Sequence, residues 1–163
     1  MPDYLDRESP MTPDLVITTA RSVSGDVLVR AEEWSRRLGG RVVPRAGRNV
    51  PARCEEEGVK GVLVVAVGRE TYYEPEAGIE YFFHPNLASM RIRNLESGKP
   101  DHLVQAMRLQ AGDEVLDCTM GRASDAILCV YAVGEAGHVV AIEKMPVIAH
   151  LTIEGLRHEV DLE

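Results

Sequence analysis

Two acids and a glycine carry the chemistry this chain offers. Val115-Leu116 is a short apolar run that stops at Asp117, and a tight loop with Gly121 follows. Ser124-Asp125 supplies an N-cap signal, and Ala126 to Val133 is an apolar run long enough for a buried helix. Gly134 stops that helix. Val139-Val140-Ala141-Ile142 then reads as a second strand ending on Glu143. The order is β-α-β, which places both carboxylates at the carboxyl ends of neighbouring parallel strands. Free N–H groups at a helix N-terminus and tight loop face a ligand there. An acid at the tip of the second strand can accept hydrogen bonds from two ribose hydroxyls. It falls 22 positions beyond Gly121, close to the spacing of about 20 in dinucleotide folds. The glycine pattern of those folds is absent, however, and Asp117 would repel a pyrophosphate. An acid before the loop suits an amine-bearing, cationic ligand, so the loop favours S-adenosyl-L-methionine (SAM) over NAD.

Val115-Leu116-Asp117-Cys118-Thr119-Met120-Gly121-Arg122-Ala123-Ser124-Asp125-Ala126 resembles motif I of class I SAM-dependent methyltransferases. More narrowly, it is similar to the bacterial small-subunit rRNA guanine-N2 methyltransferase family and its uncharacterised Gram-positive relatives. Ile17-Thr18-Thr19-Ala20-Arg21, Val43-Pro44-Arg45 and Phe82-Phe83-His84-Pro85 resemble the N-terminal half of those relatives. The resemblance implies SAM as cofactor, held by Asp117, Thr119, Gly121, Ser124, Asp125, Glu143 and Lys144. It also implies rRNA as a partner and rRNA processing as the role. Ala123 stands where the family usually has a second glycine, and Ser124 where its rRNA branch has arginine. The family's later D-P-M-F-type catalytic segment has no counterpart in these residues, so no catalytic residue is assigned. The different-class alternative is a non-catalytic methyltransferase-like module that binds a nucleoside or a partner chain.

The 163 residues suffice for one domain with an appendage, at 45% hydrophobic and 27% charged. No apolar run approaches a membrane span. The three cysteines, Cys54, Cys118 and Cys129, form no C-x-x-C pair, and the expectation is a reduced cytoplasmic protein. The histidines are scattered, and no metal site is expected. Cys118 reads as a small residue suited to a tight loop rather than as a nucleophile. Net charge is −8, which argues against general nucleic-acid binding. One local stretch departs from that average: Arg36, Arg37, Arg41, Arg45, Arg48 and Arg53 fall in a run without an acid. The bland reading is a solvated surface; the sharper one is a patch that contacts RNA phosphates.

The positioning elements follow from pattern. Residues 1–13 read as a loose tail, and 14–83 as a small α/β subdomain with a hairpin. Residues 84–110 read as a helical connector, and 111–163 as the first β-α-β(-α) of a Rossmann-like methyltransferase sheet. In the subdomain, Leu15 to Ala20 is a strand. Val27, Leu28, Ala31, Trp34 and Leu38 form one helical face. Asn49 to Glu57 is a helix with Pro51 in its first turn. Gly61 to Val67 is a strand buried on both faces. A hairpin turns at Pro75 to Gly78. Asn86 and Asp101 are candidate helix caps. Two strands leave an open sheet edge that a homodimer could cover.

Overall fold

The computed structural model describes residues 15–21 and 23–160; the tail expected over residues 1–13 lies outside them. The fold is mixed α/β and divides into two compact units, residues 1–82 and 83–163.

The first unit is built on β1 (Leu15–Thr19), α1 (Gly25–Leu38), β2 (Arg41–Val42), α2 (Val50–Glu57) and β3 (Gly61–Ala66). A meander of β4 (Arg69–Glu74) and β5 (Ile79–Tyr81) follows. The strands form one sheet in the order β2-β1-β3-β4-β5, parallel among the first three and antiparallel beyond. Uninterrupted apolarity in β3 has a simple cause: both faces of the sheet are covered. Cys54 of α2 packs with Val16, Val62 and Val64 on one face. Strand alternation puts Ile17, Leu63 and Val65 on the other, where α1 packs. On α1 the buried positions are Val27, Ala31, Trp34 and Leu38. Leu28, expected on that face, is exposed; it lies one residue off the stripe. Arg30 of α1 pairs with Glu70 of β4. Asn49 caps α2 by accepting the Ala52 N–H at 2.9 Å, with Pro51 in the first turn.

The hairpin expected at Pro75 to Gly78 is present between β4 and β5, and a second precedes it. Ala66 pairs with Arg69, so the chain reverses through Val67-Gly68, with Gly68 at φ +73°. Only one turn-forming residue marks that reversal, and Val67 beside it is apolar.

The second unit comprises α3 (Asn86–Glu96), α4 (His102–Met107), β6 (Glu114–Asp117), α5 (Ser124–Val133), β7 (His138–Ala141) and α6 (Pro146–Val160). Strands β6 and β7 pair in parallel, Val115 with Val139 and Leu116 with Val140. Val115, Cys129 and Val133 form the core between sheet and α5, joined by Leu103, Leu109 and Val139. Helices α3 and α4 pack on α5, so the segment read as a connector is part of this unit's body. Asp101 caps α4, accepting the Leu103 and Val104 N–H groups. Asn86 does not cap α3. It lies inside the helix, and its own N–H donates to His84 Nδ1 at 3.3 Å.

Candidate functional site

The loop between β6 and α5 is fixed by bonds to β7 and α6. Asp117 Oδ1 accepts the Thr119 N–H at 2.9 Å. The Met120 N–H reaches the Ile142 carbonyl at 2.8 Å, and the Ile142 N–H reaches the Asp117 carbonyl at 2.7 Å. Glu143 arrives at the tip of β7 beside this loop. Its Oε2 accepts the Gly121 N–H at 3.1 Å, and its Oε1 accepts the Met145 N–H at 2.8 Å. Behind the loop, the fully buried Thr152 of α6 donates its hydroxyl to the Gly121 carbonyl at 2.6 Å. Both backbone groups of Gly121 are therefore engaged. The structure brings Asp117, Thr119, Gly121 and Glu143 together. Sequence spacing pairs Gly121 with Glu143 but gives no hint of Thr152, an ordinary mid-helix threonine until α6 is folded back.

Asp117 has one oxygen without a partner. Oδ2 is buried and accepts no hydrogen bond among the described residues. A buried polar oxygen left so in a native fold costs about 1–3 kcal/mol and calls for an explanation such as a bound donor.

The entry to α5 differs from the expected cap. Ala123 occupies the N-cap position in the left-handed region, φ +56°, with no side-chain cap bond. Ser124 and Asp125 are the helix's first two residues. A left-handed alanine costs about 1–2 kcal/mol, which accounts physically for a second glycine in the motif that this segment resembles. Ala123 is also buried, so the methyl returns about 0.8 kcal/mol through burial.

Asp125 pairs with Arg91 of α3. Arg91 also holds Asp101 by two bonds, Nε to Oδ2 at 2.8 Å and Nη2 to Oδ1 at 2.9 Å. This guanidinium is the largest cause holding the Asp101 carboxyl down at about 2, with the Val104 and Leu103 N–H groups acting in the same direction. Ser124 is partly buried, while Lys144, beside Glu143, is exposed. Burial pushes the thiols of Cys54 and Cys129 upward, as befits core cysteines, and Cys118 is exposed in the loop.

One face of the β6–β7 ladder is bare. Leu116, Val140 and Ile142 point away from α5, with 59%, 46% and 50% of their surfaces exposed. Parallel strands are ordinarily covered on both faces.

The arginine run does not form one patch. Arg53 is only 8% exposed; it donates to the carbonyls of Pro44 and Arg45 and pairs with Glu56 and Glu57. Arg41 pairs with Glu57 and Arg48 with Glu56. The run lacks acids in sequence, but the next turn of α2 supplies two in space. Arg53 is thereby corrected from a surface cation to a buried brace. Arg36 and Arg37 are exposed on α1, Arg37 lying over Trp34 at 5.8 Å. Arg45 remains beside the β1–β2 end of the sheet.

Comparison with known proteins yields one curated relative, an uncharacterised protein, YpiP, of Bacillus subtilis (strain 168). It is 36% identical over 143 residues. The match covers 86% of this chain and 54% of the relative, so the chain spans about half the length of the relative it matches. No protein-family model matches the chain, and no solved structure matches it. Among the described residues no helix is long and apolar enough to cross a membrane, and no three His, Cys, Asp or Glu side chains gather as a metal site.

Proposed function

We propose that the chain carries part of the SAM site of a methyltransferase with a Rossmann-like sheet, the acceptor being an amine such as that of an rRNA guanine. The carrying observation is the orphaned Asp117 Oδ2 at a strand tip, beside a glycine loop clasped by the acid of the next parallel strand. The residues fit the group. Asp117 has an unused acceptor for an ammonium. Glu143 has two of its roughly four lone-pair sites on backbone N–H groups, which leaves capacity for two hydroxyls. When bound, SAM supplies an electrophilic methyl group on its sulfonium. The chain's own share is to orient: Asp117 and Glu143 fix the two ends of the ligand, and Thr152 keeps the loop from yielding. Holding an attacking amine in line is the larger part of such catalysis.

Calorimetry with SAM, S-adenosylhomocysteine and NAD tests this. SAM and S-adenosylhomocysteine should bind and NAD should not. Asp117→Asn should weaken both by about tenfold, the cost of one charge-assisted bond. Tighter binding of NAD, or SAM affinity indifferent to Asp117→Asn, would sink the assignment.

The bare Leu116–Val140–Ile142 face supports a second reading, a non-catalytic module that binds a nucleoside or a partner chain. A second copy covering that face is the simplest partner. Sedimentation equilibrium should then show a concentration-dependent dimer that Val140→Lys dissociates. A monomer at all concentrations would remove the homodimer.

A further inference from the structure

The first unit holds a cleft of about 630 Å³ at the carboxyl ends of β1 and β2. Thr19, Ala20 and Arg21 enter it from β1, and Val42 to Gly47 enter from β2. Val23 and Leu28 of the α1 end close it with exposed apolar surface. Leu28 thus leaves the core and gains a place in a wall. Loops at strand ends are where side chains are free to serve a ligand, and a cleft of this size falls in the range of small-molecule sites.

Its charge is one-sided. Arg21 and Arg45 line the cleft, and no acid lines it among the described residues. Arg21 makes no hydrogen bond or ion pair among the described residues. Arg45 is held by its Nε to the Arg48 carbonyl at 2.6 Å, a bond that orients the guanidinium without neutralising it. Burial first, then the charges of Arg21 and Arg53, lower the Arg45 guanidinium from its ordinary value. Two cations lining one cleft, with no carboxylate among its described lining residues, are relieved by an anion. Arg41, Arg48 and Arg53 differ in this respect, since Glu56 and Glu57 already serve them.

We infer that this cleft binds a nucleotide unit, with Arg21 and Arg45 on its phosphate and the Val23–Leu28–Val42 wall against its sugar and base. The volume suits one nucleotide. Guanidinium forks suit phosphate oxygens. Apolar walls give a phosphate ester an advantage over the bare ion. The unit is either a free nucleotide or one residue of a single-stranded RNA. The site lies wholly within the first unit and does not rest on the SAM reading.

The test titrates the full chain with guanosine 5′-monophosphate, a short single-stranded oligoribonucleotide and inorganic phosphate. Arg21→Ala and Arg45→Ala should each weaken nucleotide or strand binding by about tenfold or more. Arg45→Lys should retain part of the affinity, and the exposed Arg36→Ala should retain all of it. Leu28→Ser should weaken the nucleotide and leave inorganic phosphate unchanged. If the strand is the source, each lost arginine should also flatten the log–log salt dependence by roughly 0.7. Monophosphate binding with these responses assigns a free nucleotide, and strand binding alone assigns RNA. The inference is overturned if neither probe binds at low salt. It is equally overturned if Arg36→Ala costs as much as Arg45→Ala, or if inorganic phosphate binds as tightly as the monophosphate.

Discussion

Replacing Arg91 by alanine is expected to destabilise the second unit by about 2–3 kcal/mol at neutral pH. Arg91 and Asp101 side chains are 18% and 12% exposed, so their two parallel bonds are largely shielded from water. Asp101 also caps α4, and Asp125 opens α5. One guanidinium therefore ties three helices, α3, α4 and α5, at a single point. Its loss leaves two carboxylates without their common cation. The pH dependence fixes the assignment. Asp101 is depressed to about 2 from the ordinary carboxyl range, chiefly by Arg91. A depressed acid contributes stability that is fully present above its unfolded pKa and is lost as pH falls through the folded one. The gap between wild type and Arg91→Ala should thus be widest near neutrality and narrow between about pH 4 and pH 2. Amide hydrogen exchange in α4 and α5 reads it directly. A gap that stays constant down to pH 2 would show that Arg91 acts by packing alone.

Glu143→Ala should cost about 2–3 kcal/mol in the absence of any ligand. Two backbone donors, Gly121 N–H and Met145 N–H, lose a charged acceptor at once, and each such loss costs about 1–1.5 kcal/mol where water replaces it only in part. Glu143→Gln keeps one accepting oxygen and should cost about half as much. Ligand binding adds a separate signature. On the SAM reading, Glu143→Gln should lower affinity by about tenfold beyond what its stability loss explains. Thermal unfolding with and without S-adenosylhomocysteine separates the two. Equal melting shifts in both conditions would leave Glu143 a loop brace and nothing more.

Several of these groups could be read from the chain alone. Trp34 and its helical neighbours announce a core stripe, Asp101 stands where a cap belongs, and the unbroken apolarity of β3 requires cover on both sides. The misses have physical causes. Residue preference marks Ser124-Asp125 as the cap of α5, but the loop's tight geometry puts a left-handed residue before them at the cap position, and Ala123 takes the strain. Arg53 reads as one of a cationic run because Glu56 and Glu57 meet it only after α2 closes. The Val67-Gly68 reversal escapes because one glycine in an apolar context is a weak turn signal. Arg91 and Asp101 stand ten positions apart, a spacing that matches no helical neighbour rule. The bond between Thr152 and Gly121 joins positions 31 apart, beyond any local pattern.

The two-sided hold on Gly121 has a kinetic consequence. A loop that must order itself around a ligand contributes a slow, saturable phase and an entropic penalty to binding. Here Glu143 takes the N–H and Thr152 the carbonyl before any ligand arrives, so the ordering is already complete. Whatever docks on this loop at Glu143 should do so in a single relaxation whose rate rises linearly with ligand concentration. Thr152→Val keeps the shape of the side chain and removes its donor. That change should release the carbonyl side of the loop and bring a second, concentration-independent phase into the stopped-flow trace.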